Sequence, residues 1–214
     1  MWYSSVQFMN THSKSDKERA ATLEILNAIA DQSDITQRNL ADRLGVALGL
    51  ANAYLKRCVK KGFVKIKHAP ANRYLYYLTP QGFSEKSRLT AQFLTYSFDF
   101  YRTASSQIFE TLQDCQRFGA QSVIFVGLSE LTEIASIRVI DLELKFIGTF
   151  DPSSNKQHFV ERPVWRRMED LPSADAYVLT ALQPCKQLYE DLVKAHESNL
   201  IFIPEMVRPL TELQ

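Results

Sequence analysis

Along the first third of the chain, apolar residues return at steps of three and four, and then the period drops to two. Leu23, Leu26, Ile29 and Ala30 mark one face of a helix over 15–30. Ser15 is its expected N-cap and Glu18 the capping-box partner. Thr36 begins a second helix that turns Leu40, Ala41 and Leu44 inward, and Gly45 closes it, because glycine accepts the left-handed conformation that ends many helices. A third helix is predicted over 47–61, burying Leu48, Ala51, Leu55, Cys58 and Val59, with Gly62 as its stop. "FVKIK" then alternates apolar and basic residues, "HAPAN" reads as a loop, and "RYLYYLT" suits a returning strand.

From Pro80 the helical period resumes. Leu89, Phe93, Tyr96, Phe100, Ala104, Ile108, Leu112 and Cys115 fall at steps of three and four, and Gly119 ends the run. A stripe of this length predicts a connector helix that also serves as a dimer seam through Phe93, Tyr96, Phe100 and Ile108. Beyond it, "SVIFVG", "LELKFIGTFD", "AYVLTAL" and "NLIFIPEM" read as strands, separated by the helices "LSELTEIASIRVID" and "CKQLYEDLVKAH". "PSSNKQHFVERPVW" is assigned no regular structure. Strands alternating with helices imply a mainly parallel sheet.

Charge separates the two halves of a nearly neutral chain. Residues 1–90 hold 14 Lys and Arg against 7 Asp and Glu, and residues 91–214 hold 11 against 17. From Arg38 to Arg73 the only acid is Asp42. Three helices and a basic hairpin make the pattern of a winged helix, whose third helix fits the major groove. On that reading the outward face of the third helix offers Gly49, Leu50, Asn52, Ala53, Lys56, Arg57 and Lys60. Asn52 suits adenine, Arg57 suits guanine, and the lysines suit phosphates. Gln37 and Arg38 would grip the backbone near the start of the second helix, and Lys65, Lys67 and Arg73 would follow phosphates along the wing. Surface charge is more often just solvated, but here the bases gather where the motif requires them.

The segment "TQRNLADRLGVALGLANAYLKRCVKKGFVKI", with "YLTPQG" after it, resembles the MarR-like winged-helix regulators, in particular those associated with bacterial exopolysaccharide operons. The shared features are Gln37-Arg38-x-Leu40-Ala41, Leu44-Gly45-Val46, Leu55-Lys56, Lys61-Gly62-Phe63-Val64 and the Thr79-Pro80-x-Gly82 exit. The resemblance implies sequence-specific binding to double-stranded DNA, usually as a homodimer, here through residues 89–118.

In the back half, Gly127-x-Ser129-x-x-Thr132 follows the first strand, where a Rossmann-like domain holds a phosphate. The dinucleotide fingerprint wants glycine at all three places, and only the first has it. The N–H groups of Ser129, Glu130 and Leu131 would face an anion at the helix start, although Glu130 adds a negative charge there. Asp151 ends the second strand and Thr180 the third, at the same edge of the sheet. With Gly148-x-x-Asp151, Pro163-Val164 and Asp175-Ala176-x-x-x-Thr180, residues 120–206 resemble the small Rossmann-like domains of sugar acetyltransferases and polysaccharide-biosynthesis dehydratases. That resemblance implies a nucleotide-sugar or similar phosphate ligand bound by Gly127, Ser129, Glu130, Leu131, Asp151 and Thr180. The same domain order occurs in Rex-type redox repressors, which implies NAD(H) instead.

Catalysis finds no support in the residue pattern. The histidines at 12, 68, 158 and 196 lie apart, and Cys58, Cys115 and Cys185 have no metal-ligand spacing and read as buried thiols. No leader and no run of about 18 apolar residues is present, so a cytoplasmic protein without a membrane span is expected. The predicted class is mixed: an N-terminal winged helix-turn-helix (α+β) over 15–88, a long connector helix over 89–118, and a C-terminal Rossmann-like α/β parallel-sheet domain over 119–214. The expected function is a dimeric bacterial transcription regulator, not an enzyme. One alternative is an NAD(H)-sensing repressor. Another is a nucleotide-sugar enzyme or assembly factor whose winged helix binds protein.

Overall fold

The computed structural model describes residues 14–70 and 73–212, and all of their side chains except those of Lys14 and Arg73. The chain forms two compact units, Met1–Tyr96 and Ser97–Gln214. The division falls inside one long helix.

The first unit is a winged helix. Helices α1 (Lys14–Asp31), α2 (Gln37–Leu44) and α3 (Leu48–Lys60) are followed by strands β1 (Val64–Ala69) and β2 (Arg73–Leu78), and α4 (Pro80–Arg117) begins after them. Thr36 caps α2 by accepting from the Asn39 N–H, and Gly45 ends it at φ 62°. The core joins Ile25, Leu26, Ala28 and Ile29 of α1 to Leu40, Ala41 and Leu44 of α2. Ala51, Leu55 and Cys58 of α3 and Phe63, Val64 and Tyr76 of the hairpin complete it. Three sequence expectations need correction. Ser15 lies within α1 rather than capping it, Leu23 is only half-buried and Ala30 is exposed. Leu48 opens α3 ahead of Ala51, where burial begins, and is 46% exposed.

The Thr79-Pro80-x-Gly82 exit is a joint between the wing and α4. The Thr79 N–H donates to the Phe63 carbonyl, its hydroxyl donates to the Gly62 carbonyl at 2.6 Å, and the same hydroxyl accepts from the Gly82 N–H at 3.0 Å. Pro80 is the first residue of the helix, where its missing N–H costs nothing. At Gly82 the helix lies so close to the Phe63 carbonyl that an added Cβ would sit 2.1 Å from its oxygen.

The second unit is a six-stranded sheet in the order β5-β6-β4-β3-β7-β8. Its strands are β3 (Ser122–Val126), β4 (Lys145–Phe150), β5 (His158–Phe159), β6 (Arg162–Trp165), β7 (Ala176–Leu179) and β8 (Ile201–Phe202). Every pairing is parallel except that of β5 with β6. Val123–Val126 and Ala176–Leu179 are buried on both faces, as central parallel strands are. Helix α5 (Glu130–Arg138) joins β3 to β4, and α6 (Lys186–Ala195) joins β7 to β8. From α4, Ala104, Ile108, Leu112 and Cys115 are each 0% exposed and belong to this core.

The segment expected to be irregular contains the β5–β6 hairpin. Its two-residue turn is Val160-Glu161, with φ of 48° and 57°. Both values lie in the left-handed region that such turns normally fill with Asn and Gly, so the sequence carried no turn signal there.

Candidate nucleic-acid interface and the carboxyl edge of the sheet

The expected DNA-contacting residues divide by what their side chains already do. Gln37, Arg38, Gly49, Lys56, Lys60, Lys65 and Lys67 are exposed. Among the described residues, Arg38, Lys56, Lys60, Lys65 and Lys67 form no ion pair. Lys56 and Lys60 are one turn apart on α3. On the wing, strand alternation sends Lys65 and Lys67 to one face. His68 lies on the other and packs against Tyr74, ring centroids 4.5 Å apart. Gln37 donates a long hydrogen bond of 3.4 Å to the Tyr76 hydroxyl. The Arg73 side chain lies outside the described residues.

Arg57 and Asn52 differ from the sequence expectation. The Arg57 guanidinium pairs with Glu18 of α1 at 2.7 Å and lies over the Tyr54 ring. Its hydrogen bond to Glu18, reinforced by that charge, holds its pKa above the ordinary arginine value. A guanine contact would have to break this pair. Asn52 is half-buried, and its Oδ1 is fully buried with no hydrogen-bond partner among the described residues. Arg43 is structural as well, holding Glu24 at 2.6 Å and Asp31 at 2.9 Å.

In the second unit, β3 connects onward toward β4 and β7 toward β8, on opposite sides. The crevice beyond β3 and β7 is therefore the switch point at which open α/β sheets bind ligands. The expected residues Gly127, Ser129 and Thr180 do meet there, but they bond to one another. The Ser129 hydroxyl donates to the Thr180 carbonyl at 2.5 Å and accepts from the Leu131 N–H at 3.0 Å. The Thr180 hydroxyl donates to the Gly127 carbonyl at 2.6 Å. Thr132, where the fingerprint wants glycine, accepts from the Ser129 N–H at 2.9 Å and so completes a capping box. Gly127, at φ 92°, is needed because a Cβ would come within 2.6 Å of Ala181.

Asp151 is equally committed. One carboxylate oxygen accepts from the Leu128 N–H at 2.9 Å, and the other accepts from the N–H and hydroxyl of Ser153 at 2.8 and 2.7 Å. Of the three N–H groups expected to face an anion, those of Ser129 and Leu131 already have acceptors within the protein, as does the neighbouring Leu128 N–H. Glu130 stands at the first position of α5. Asp151→Ala is expected to destabilise this unit by about 1–3 kcal/mol, since it strands the part-buried N–H groups of Leu128 and Ser153. Urea denaturation measures it, and a variant as stable as the wild type would show that the carboxylate is held in reserve.

The cysteines match their bland reading. All three are free and buried, and burial pushes the Cys58 thiol up to about 11 and the Cys115 thiol up to about 12. At neutral pH both are protonated and poor nucleophiles. Among the described residues no group of three or more His, Cys, Asp or Glu is placed to hold a metal. No described helix is long and apolar enough to cross a membrane.

Residues 19–65 match the family described as winged helix-turn-helix DNA-binding. The first unit accordingly has the winged helix-turn-helix fold. No curated protein matches the chain. Similar solved structures include MepR, a transcription regulator of the Staphylococcus aureus multidrug efflux pump MepA. It is 20% identical with a TM-score of 0.34, over 39% of this chain and 61% of that one. The PcaV transcriptional regulator from Streptomyces coelicolor is 20% identical with a TM-score of 0.37, over 45% of this chain and 71% of that one. Human N-acetylserotonin methyltransferase in complex with SAM is 12% identical with a TM-score of 0.34, over 94% of this chain and 75% of that one.

Proposed function

We propose that the protein is a transcriptional regulator that binds double-stranded DNA as a homodimer. The observation that carries this reading is the set of exposed cations Arg38, Lys56, Lys60, Lys65 and Lys67 on α2, α3 and the wing, none of them ion-paired among the described residues. A cation left unpaired on a recognition helix and wing is suited to phosphate. Such a regulator acts in the bacterial cytoplasm. The motif resemblance points to polysaccharide genes as its targets. The test is to recover the DNA it binds from sheared genomic fragments. Fragments clustered upstream of coding sequences support regulation, whereas uniform recovery would reduce the protein to a non-specific DNA binder.

Helix α4 supports the dimer. Leu94, Phe98 and Tyr101, at steps of four and three, are 48%, 60% and 44% exposed. The proposed seam is this one in place of the expected stripe, in which Phe93 and Phe100 are half-buried and Ile108 lies in its own core. Tyr96 is exposed on another side of the helix. Leu94→Glu with Phe98→Glu is expected to give folded monomers whose affinity for a two-fold DNA site falls at least about tenfold, because linked half-site binding is lost. Light scattering and DNA titration measure both effects. A double variant that stays dimeric moves the interface elsewhere.

The second unit is read as a non-catalytic scaffold. Its internally bonded crevice favours this over a phosphate sensor at the same turn. A nucleotide-sugar or NAD(H) bound there would have to displace Asp151 from the Leu128 N–H and part Ser129 from Thr180. Thermal melting with and without these compounds separates the two readings. A rise in melting temperature restores the sensor.

A further inference from the structure

The first two turns of α3 carry an unusual surface for a helix that reads DNA. Leu48 and Leu50 are 46% and 44% exposed. Gly49 lies between them, exposed, and a Cβ added there would meet nothing within 4 Å. Ala53, one turn on from Gly49, is partly exposed. Asn52, the one side chain in these turns able to hydrogen-bond a base edge in two places, has its oxygen buried. Beyond the hydroxyl of the partly buried Tyr54, charged groups resume only at Lys56, Arg57 and Lys60, and Arg57 is paired with Glu18. The leading end of the recognition helix is therefore apolar, and its trailing end is cationic.

In helix-turn-helix proteins the first residues of the recognition helix meet the base edges, while flanking cations fix the helix on the backbone. In the major groove the apolar feature on a base edge is the 5-methyl group of thymine. We infer that Leu50 and Leu48 read thymine methyls, so that this domain recognises its sites mainly by apolar contact and not by bidentate hydrogen bonds from α3. The open space at Gly49 lets the helix approach the groove floor closely enough for two leucines to reach it. The occupant of this apolar face is DNA because the exposed cations Arg38, Lys56 and Lys60 lie on the same helix-turn-helix, complementary to phosphate. The inference rests on the DNA-binding reading above and adds the chemistry of its specificity.

The test uses the full chain and duplexes selected from a random pool for tight binding. Each thymine in a selected site is replaced, one at a time, by deoxyuridine, which lacks only the 5-methyl group. Affinity should fall about three- to fivefold at one or more positions, the scale of one methyl group's burial. Leu50→Ala should bind the thymine site more weakly and no longer distinguish it from the deoxyuridine site at one of those positions. That coupling separates a direct contact from an effect of the methyl on DNA shape. Because Leu48 and Leu50 are exposed, the variant should melt like the wild type, and its salt dependence should be unchanged. Salt-sensitive binding that is indifferent to every deoxyuridine replacement overturns this inference and leaves DNA binding standing. So does a Leu50→Ala variant that keeps full discrimination, or one that only shifts the oligomeric state. Absence of salt-sensitive DNA binding overturns the functional reading itself.

Discussion

Lys56→Glu combined with Lys60→Glu is expected to abolish DNA binding at physiological salt while leaving the fold intact. Both lysines are exposed on α3, one turn apart, and neither is ion-paired among the described residues. Each reversal removes a phosphate contact and sets a negative charge in its place. Losing even two contacts lowers affinity steeply, and added repulsion should bring the loss to about 10²-fold or more. Neither side chain holds the domain together, so stability should change by less than about 0.5 kcal/mol. Fluorescence anisotropy and thermal melting on the same preparations test both halves. If the double variant binds DNA as the wild type does, α3 is not the helix that meets it.

The second large effect is structural. Gly82→Ala is expected to destabilise the winged helix by about 3 kcal/mol or more, the range seen when a buried site is overpacked against an unyielding neighbour. The added Cβ would lie 2.1 Å from the Phe63 oxygen and 2.9 Å from the Phe63 carbonyl carbon. Both are backbone atoms, and the same oxygen accepts the Thr79 N–H. Relief requires separating the wing from the start of α4, which also breaks the Thr79 hydroxyl's bonds to Gly62 and Gly82. Denaturant unfolding of this unit, followed by the exposure of its buried Tyr76, measures the loss. A variant with unchanged stability would mean that the joint is looser than its packing implies.

The features legible in the sequence are those set by local chemistry. Steps of three and four gave the helices because one face of each is buried, and the change to alternation at Phe63 gave the wing. Gly45 and Gly62, both at positive φ, stood where the helix breaks were read. The carboxyl-edge residues could be placed because a strand, a glycine turn and a helix follow one another directly. What stayed hidden depends on partners distant in the chain. Nothing near Arg57 announces that Glu18 will take its guanidinium. The Ser129–Thr180 bond that closes the crevice spans 51 residues. Asp151 has the position of a ribose-binding acid, and only the fold shows its carboxylate turned to Leu128 and Ser153. Leu48 fits an inward helical face by spacing, yet it stands one turn ahead of the core. The long helix was read as a single stripe, but burial cuts it in two. Ala104 to Cys115 belong to the second unit's core, while Leu94, Phe98 and Tyr101 face solvent.

If the winged helix binds DNA through cations that are not ion-paired among the described residues, affinity must fall with salt, and that dependence tests it most directly. Binding of the full chain to a selected duplex should be measured between about 50 and 200 mM salt, where each neutralised phosphate contributes a slope of about −0.9 in log K against log salt. With Arg38, Lys56, Lys60, Lys65 and Lys67 engaged, the slope should be about −4 to −5 per winged helix, a loss of about 10²–10³ in affinity over that range. Affinity that stays flat across the range, or that is absent for every duplex tried, would contradict the account.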